Sequence, residues 1–570
     1  MTEQTRTKPP SRVPGRPARG GGQLVAAAVG LCLGLLALGP GLLPGYLLSY
    51  DMVFVPAPAF NSAVLGTSGT LPRAVPSDAV MAALARIAPA DLVQKGVLLA
   101  IFVLACAGAA RLLSGERLPA QLTAGVLYAW NPFVAERLIL GQWALLLGYA
   151  GLPWVAAAAA RLAGGPAGPA PRIEGRPAGP AIRPAAGLTS PAGGLTGPTA
   201  RLAAAILPAA IGGFAAMLIT GLVALPVAAC QSLTARARAI RIVVVAGLLA
   251  AASLPWLIPA LTRHVATSPA GVAAFAARAD TPFGTLGSLL MLGGGWNAQA
   301  VPPGYGGPVS VLSLLLSVLG LAGFALLGRR RWAGLAVAAL AGLVLAMLGA
   351  FGAGQDLLRS LIGWWPGFAV LRDGQQFAAP LALAEAVGLG LLVARLLAAR
   401  RAAELRFGLV AALVAAPVLL LPGLAWGAAG RLQPVEYPAD WLAARKLINA
   451  DPAPGKALLL PWAAYRRLGW NHDEAVLDPW PRLLNRDVIW NDGDQVGTTV
   501  IPPEDPSAIA INGAVLGRGP LTSTLRSDGY RYVIVDAGFG PRGGRPYLAR
   551  LPGCRIVLAG PGLVIYRVPG

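Results

Sequence analysis

Charge, histidine, lysine and cysteine are all scarce in this chain. Only 12% of its 570 residues are Asp, Glu, Lys or Arg, about half the share of an average soluble domain. With only two histidines, His264 and His472, a histidine-ligated zinc centre is not expected. Cys32, Cys106 and Cys230 lie in apolar runs and Cys554 stands alone, which excludes a disulfide framework and any CxxC metal site. There is no P-loop, no GxGxxG and no nucleophile elbow, so ATP- or NAD-driven chemistry has no visible site. The net charge of +21 does not indicate a nucleic-acid partner, because the arginines fall between apolar runs instead of lining one patch.

What is abundant is apolar sequence, 55% of the chain. Runs near 20 residues identify a polytopic α-helical membrane protein. About eleven transmembrane helices are expected, at 24–48, 96–113, 119–131, 143–160, 202–218, 220–234, 242–261, 309–328, 332–352, 377–397 and 407–427. The third, fifth and sixth runs are short, and 202–234 also reads as one long bent helix. With eleven crossings, Arg111 and Arg117, the arginines of 161–201, those of 236–241, Arg329 to Arg331 and those of 395–406 share one side with the basic N-terminus. The positive-inside rule makes that side cytoplasmic.

This topology divides the chain. Residues 1–22 form a basic, disordered cytoplasmic tail, and 23–162 hold the first helices and a first extracytoplasmic loop at 49–95. A Pro/Gly-rich cytoplasmic linker spans 163–200, too poor in large apolar residues to fold. The remaining helices occupy 201–427, and 428–570 form an extracytoplasmic α/β domain. In that domain a helix is expected over 439–448 and strands over 456–462, 530–538, 554–560 and 562–568, with 463–528 mostly loop. Within the first loop, 76–95 reads as a helix lying along the membrane surface.

Polar residues at the outer ends of the spans are the chemical candidates. Asp51, in "SYDMVF", follows the first apolar run, where a partly desolvated carboxylate can accept a proton from a hydroxyl. The bland alternative is an interfacial residue that stops the helix. Arg73 and Asp78 sit in "TLPRAVPSD", and Arg73 offers a cation for a phosphate. In "YAWNPFVAERLILGQW", Asn131 and Pro132 break a helix, and Glu136, Arg137 and Gln142 lie near membrane depth, where polar groups pair or work. "VLRDGQQFAAP" adds Arg372, Asp373 and Gln375. In "WNHDEAVLDPW" and "WNDGDQVG", tryptophans accompany Asp473, Glu474, Asp492 and Asp494, as in carbohydrate recognition. "NDGD" lacks the ligand run of a calcium loop and reads as an exposed turn.

One span, a long outer loop with an early Asp, many further spans and an outer C-terminal domain together resemble the GT-C superfamily of membrane glycosyltransferases. The "YAWNPFVAERLILGQWALLLGYAGLPWV" stretch is similar to arabinofuranosyl- and mannosyltransferase-related envelope proteins, and "YRYVIVD … LPGCRIVLAGPGLVIYRV" to YfhO-like outer domains. The resemblance implies a polyprenyl-phosphate-linked sugar as donor, an envelope polysaccharide or glycolipid as acceptor, and Asp51 as catalytic base. From the polar clusters themselves, Arg73, Asp78, Asn131, Glu136, Arg137, Gln142, Arg372, Asp373 and Gln375 are the candidate substrate-binding residues, with Arg73, Arg137 and Arg372 to hold the phosphate. Related enzymes often carry paired acids in the first loop, whereas Tyr50 and Met52 flank Asp51. No metal ligand set is assigned and no cofactor is required, although a divalent cation is left open. A lipid-linked glycan flippase and a non-catalytic envelope-assembly scaffold are the rival readings.

Overall fold

A computed structural model describes residues 21–69, 71–162, 196–231, 234–262, 267–399, 403–536, 547 and 549–569. The tail expected over 1–22 and the linker over 163–200 lie almost wholly outside the described residues.

An apolar chain in lipid must satisfy its backbone hydrogen bonds internally, so the runs fold as helices. Among the described residues seven helices are long and apolar enough to cross a membrane: Gly21–Leu42, Ala90–Leu112, Trp143–Arg161, Ala235–Thr262, Ser310–Gly328, Ala333–Ala350 and Gly374–Ala398. An eighth is the pair Glu404–Leu420 and Pro422–Gly430, bent by 54°. The chain is therefore a multi-pass membrane protein. The other three expected spans form Leu118–Ala129, Thr196–Gly212 and Phe214–Ala229, of 12, 17 and 16 residues. Twelve helical residues reach about 18 Å, well short of a hydrocarbon core of about 30 Å. Among the described residues seven or eight helices are thus of full spanning length, and the expected count of eleven is not confirmed. The break at 212–214 falls at Gly213, whose φ of 80° ends one helix before the next begins.

Small residues bring helices together where lipid supplies no hydrophobic drive. A Cβ on Gly388 would collide with the Gly320 carbonyl, and one on Gly323 with the Gly388 carbonyl, so these helices cross backbone to backbone.

The surface helix expected over 76–95 is shorter. Ser77–Leu84 is helical, and the chain turns before Pro89 to open the next span at Ala90. Proline disfavours a helical residue before it, which separates the two helices.

The C-terminal domain is a mixed five-stranded sheet between helices. Its strand order is Arg555–Ala559, Leu563–Arg567, Tyr530–Asp536, Lys456–Leu460, Val488–Ile489. Lys456–Leu460 runs parallel to both of its neighbours, and the remaining pairs are antiparallel. Strand alternation sends Ala457, Leu459, Tyr532 and Ile534 toward Trp441, Ala444 and Ile448 of helix Ala439–Ala450. Leu458, Leu460, Val533 and Val535 face Ile511 and Val515 of helix Pro506–Leu516.

The first core is not confined to the domain, because Leu48, Val53 and Val55 from the first loop are part of it. Tyr46–Leu47 also pairs with Pro434–Val435. Gln94 completes the edge: its amide accepts from the Leu47 N–H at 3.0 Å and donates to the Leu47 carbonyl at 2.7 Å. The first loop is thus clamped between the helices and the C-terminal domain.

Candidate active site

The backbone around Asp51 is fixed from two directions. Tyr50 N–H donates to the Ala475 carbonyl at 2.6 Å, and Leu477 N–H donates to the Tyr50 carbonyl at 2.8 Å. Asp51 N–H donates to the Leu140 carbonyl at 3.0 Å, and the Ser49 hydroxyl to the Ile139 carbonyl at 2.6 Å. These bonds hold Tyr50 in the left-handed region, φ 44°, a conformation that costs a non-glycine residue about 1 kcal/mol or more. Gly141 permits the approach, since any Cβ there would clash with the Met52 nitrogen and the Ser49 carbonyl.

The Asp51 carboxylate accepts a hydrogen bond of 2.6 Å from the Tyr465 hydroxyl. Burial raises its pKa above the usual aspartate value. The Tyr465 bond and Arg482 oppose that rise, while Asp373 and Asp494 add to it. Arg73 lies within electrostatic reach of Asp51, Tyr465, Glu504 and Asp492. Its side chain is 56% exposed and pairs with Glu504, which also faces Arg372 at 4.0 Å. Burial, then the charge of Arg73, lowers Arg372 to about 10, which leaves it protonated at neutral pH. Arg372 also donates to the Ser268 carbonyl at 3.2 Å and lies over the Phe275 ring.

Arg137 joins through Asp373, at 3.4 Å, and donates to Gln142 at 3.0 Å. Gln142 in turn donates to Asp373 at 3.5 Å. Asp51, Arg73, Arg372, Arg137, Gln142 and Asp373 therefore form one neighbourhood where the helix ends meet the C-terminal domain.

The other candidates lie elsewhere. Asn131 caps helix Pro132–Ile139 by accepting from Val134 N–H, and its amide donates to Leu127, Tyr128 and Tyr149. Every polar atom of that side chain is engaged inside the protein. Glu136 points to another group: it accepts from Gly295 N–H at 3.1 Å. Burial and the neighbouring Asp280 raise its pKa well above the usual range. Asp78 pairs with Arg482 at 2.8 Å and borders a mainly apolar cavity lined by Val53, Phe54, Met81, Val93 and Trp143. Gln375 is 1% exposed, and its amide has no hydrogen-bond partner among the described residues.

Sequence reading missed Tyr465, Arg482 and Glu504, all from the C-terminal domain. "AAYRRLG" and "PPEDPS" carry no motif, and only their pairing across some 400 positions gives them meaning. The expected exposed turn at "NDGD" is partly buried, with the Asp492 carboxylate accepting from Glu504 and Asp505 N–H groups at 3.0 and 2.9 Å. Of the tryptophans in the expected sugar-facing segment, Trp480 is core and Trp470 is partly buried against it. Trp480 stacks on Trp441 at 4.6 Å, and Trp470 meets Trp441 edge-on at 5.3 Å. Large aromatic surface gains more from burial than from water, which decides their place. Among the described residues no group of three or more His, Cys, Asp or Glu side chains is placed to hold a metal ion.

Comparison with known protein families and with curated proteins finds no match. Among solved structures, the fold is similar to that of the arabinofuranosyltransferase AftD from Mycobacteria, with a TM-score of 0.57, 19% identity and 96% of this chain covered. Two structures of a point variant of that enzyme match at 18% identity, with TM-scores of 0.57 and 0.55. The chain spans about two fifths of the length of these structures, 40% of the first and 41% of the others. The likeness is one of fold alone: a polytopic helical membrane architecture followed by a strand-containing C-terminal region.

Proposed function

We propose that this chain is an integral membrane glycosyltransferase of the cell envelope. It moves a sugar from a polyprenyl-phosphate donor to an envelope glycan or glycolipid, on the outer face of the membrane. The observation that carries the reading is the gathering of Asp51 with Arg73, Arg372 and Arg137 at one end of a helical bundle whose fold is similar to that of AftD. Assigning that end, and the C-terminal domain, to the outside of the cell is part of the proposal; the basic clusters between the helices support it, and an odd number of crossings is what it requires.

In the proposed step the Asp51 carboxylate takes the proton of an acceptor hydroxyl. The oxygen attacks the anomeric carbon, the bond from that carbon to the phosphate oxygen breaks, and the bonding pair leaves with the lipid phosphate. One displacement inverts the anomeric configuration. The phosphate goes from a diester with one negative charge to a monoester with up to two. Arginines beside it favour the transition state, in which that charge develops, more than the ground state. Because the lipid phosphate is itself the leaving group, no nucleotide is needed outside the cell.

The test is the protein in liposomes with a labelled polyprenyl-phosphoryl sugar and a soluble glycan acceptor. A new glycosidic bond of inverted configuration supports the reading. Movement of the labelled lipid between leaflets without bond formation would replace it with transport, and retained configuration would remove Asp51 from the role of base.

A further inference from the structure

Glu504 belongs to the C-terminal domain, yet its carboxylate lies between two arginines that come from elsewhere in the chain. One oxygen pairs with Nη2 of Arg73, from the first loop. The other lies 4.0 Å from Nη2 of Arg372, which precedes the span Gly374–Ala398. The Glu504 side chain is 5% exposed, so it does not meet solvent as a free acid.

Its position is built from below. The Asp492 carboxylate accepts from the N–H groups of both Glu504 and Asp505, and the Asp505 side chain accepts from Ser507 N–H at 2.8 Å to cap helix Pro506–Leu516. A rigid helix start thus fixes Asp492 and Glu504 together. Arg372 is held as firmly, by the Ser268 carbonyl and the Phe275 face. Arg73, in contrast, is more than half exposed. Two guanidinium ions set side by side repel, and a flexible surface arginine would otherwise extend away into water.

We infer that Glu504 is the positioning residue for the phosphate of the substrate. It ties the half-exposed guanidinium of Arg73 beside the buried guanidinium of Arg372, so that both present their remaining N–H donors to one anion. The inference rests on the reading of these arginines as the phosphate grip. Glu504 touches no reacting atom and acts through its two partners. Its removal weakens anion binding, and that loss disappears once Arg372 is already gone.

The experiment measures binding of farnesyl phosphate, a soluble prenyl phosphate, to the full chain in detergent. It compares the unaltered protein with Glu504→Gln, Arg372→Ala and the double variant. Gln keeps the size of Glu, and thermal unfolding of each variant checks that the fold is intact. Glu504→Gln is expected to weaken binding on the order of tenfold, the scale of one charge-assisted hydrogen bond. The double variant is expected to bind within about twofold of Arg372→Ala alone, the coupling that residues in one network show. A purely structural role would not produce that non-additivity. Additive losses overturn the inference. So does tighter binding by Glu504→Gln, which would make Glu504 a competing anion. No binding by the unaltered protein would instead overturn the phosphate grip itself, and the inference with it.

Discussion

The strand Tyr465–Arg467 has a different ionic cluster on each side, and the two are instructive together. Successive strand residues face opposite ways, so Tyr465 reaches Asp51 while Arg466 reaches Asp478 and Asp536. Behind the strand, Arg466 and its two acids are at most 2% exposed. In front, Arg73 is 56% and Asp373 22% exposed. Both sides contain a carboxyl raised by burial: Asp51 in front, and Asp478 behind, pushed up to about 6 against the pull of Arg466. A perturbed carboxyl therefore does not by itself identify a working site. What differs is closure. The rear cluster is sealed and can only hold the domain together, whereas the front cluster, with Arg137 and Arg372 buried, keeps the Arg73 guanidinium open to an arriving anion.

Substitutions should separate the two sides. Asp51→Asn is expected to lower kcat by about 10²–10⁴-fold, the usual share of a general base, with little change in thermal stability; transfer rates within tenfold of the unaltered enzyme would end the distinction. Arg466→Met should do the reverse. It leaves two buried acids uncompensated and is expected to destabilise the C-terminal domain by about 3–5 kcal/mol, read as proteolytic susceptibility in denaturant, while molecules that remain folded keep their kcat. Arg372→Ala should raise the donor KM about 10–100-fold, corresponding to about 1.5–3 kcal/mol for a charged hydrogen bond, and steady-state kinetics at varied donor concentration would show it.

The smallest expected effect concerns pH. Asp51 must be ionised to accept a proton, and burial raises its pKa. Activity should therefore fall as pH drops through a midpoint above the usual aspartate value of about 3.9. Tyr465→Phe removes a hydrogen bond that favours the ionised form, so the acid limb should move to still higher pH. A limb that stays in place, or moves down, would show that Tyr465 does not govern the titration.

Much of this was legible locally. Long apolar runs announced the helices, and the Asn131–Pro132 pair marked a helix boundary, with Asn131 as the cap of the next helix. The positions of Asp51, Arg137 and Arg372 near the ends of apolar runs, and of Arg73 within the first loop, made them candidates from the sequence. The span count was less legible, because hydropathy does not reveal where a run breaks: Gly213 divides 196–229 into two helices. Asn131 and Glu136 share one short segment with Arg137, yet their side chains join other groups. A helix sends neighbouring residues in different directions, and sequence proximity does not say which of them meet.

The sequence by itself determined that the chain crosses a membrane many times, that its cations collect between spans, and that a sheet-forming domain follows. These are properties of composition and periodicity, set by the cost of exposing polar backbone to lipid. Only the tertiary structure decided that Tyr465 and Glu504 complete the surroundings of Asp51 and the arginines. Those contacts join residues between 132 and 431 positions apart, and the closeness of two distant charges depends on how whole elements dock, not on either neighbourhood in the chain.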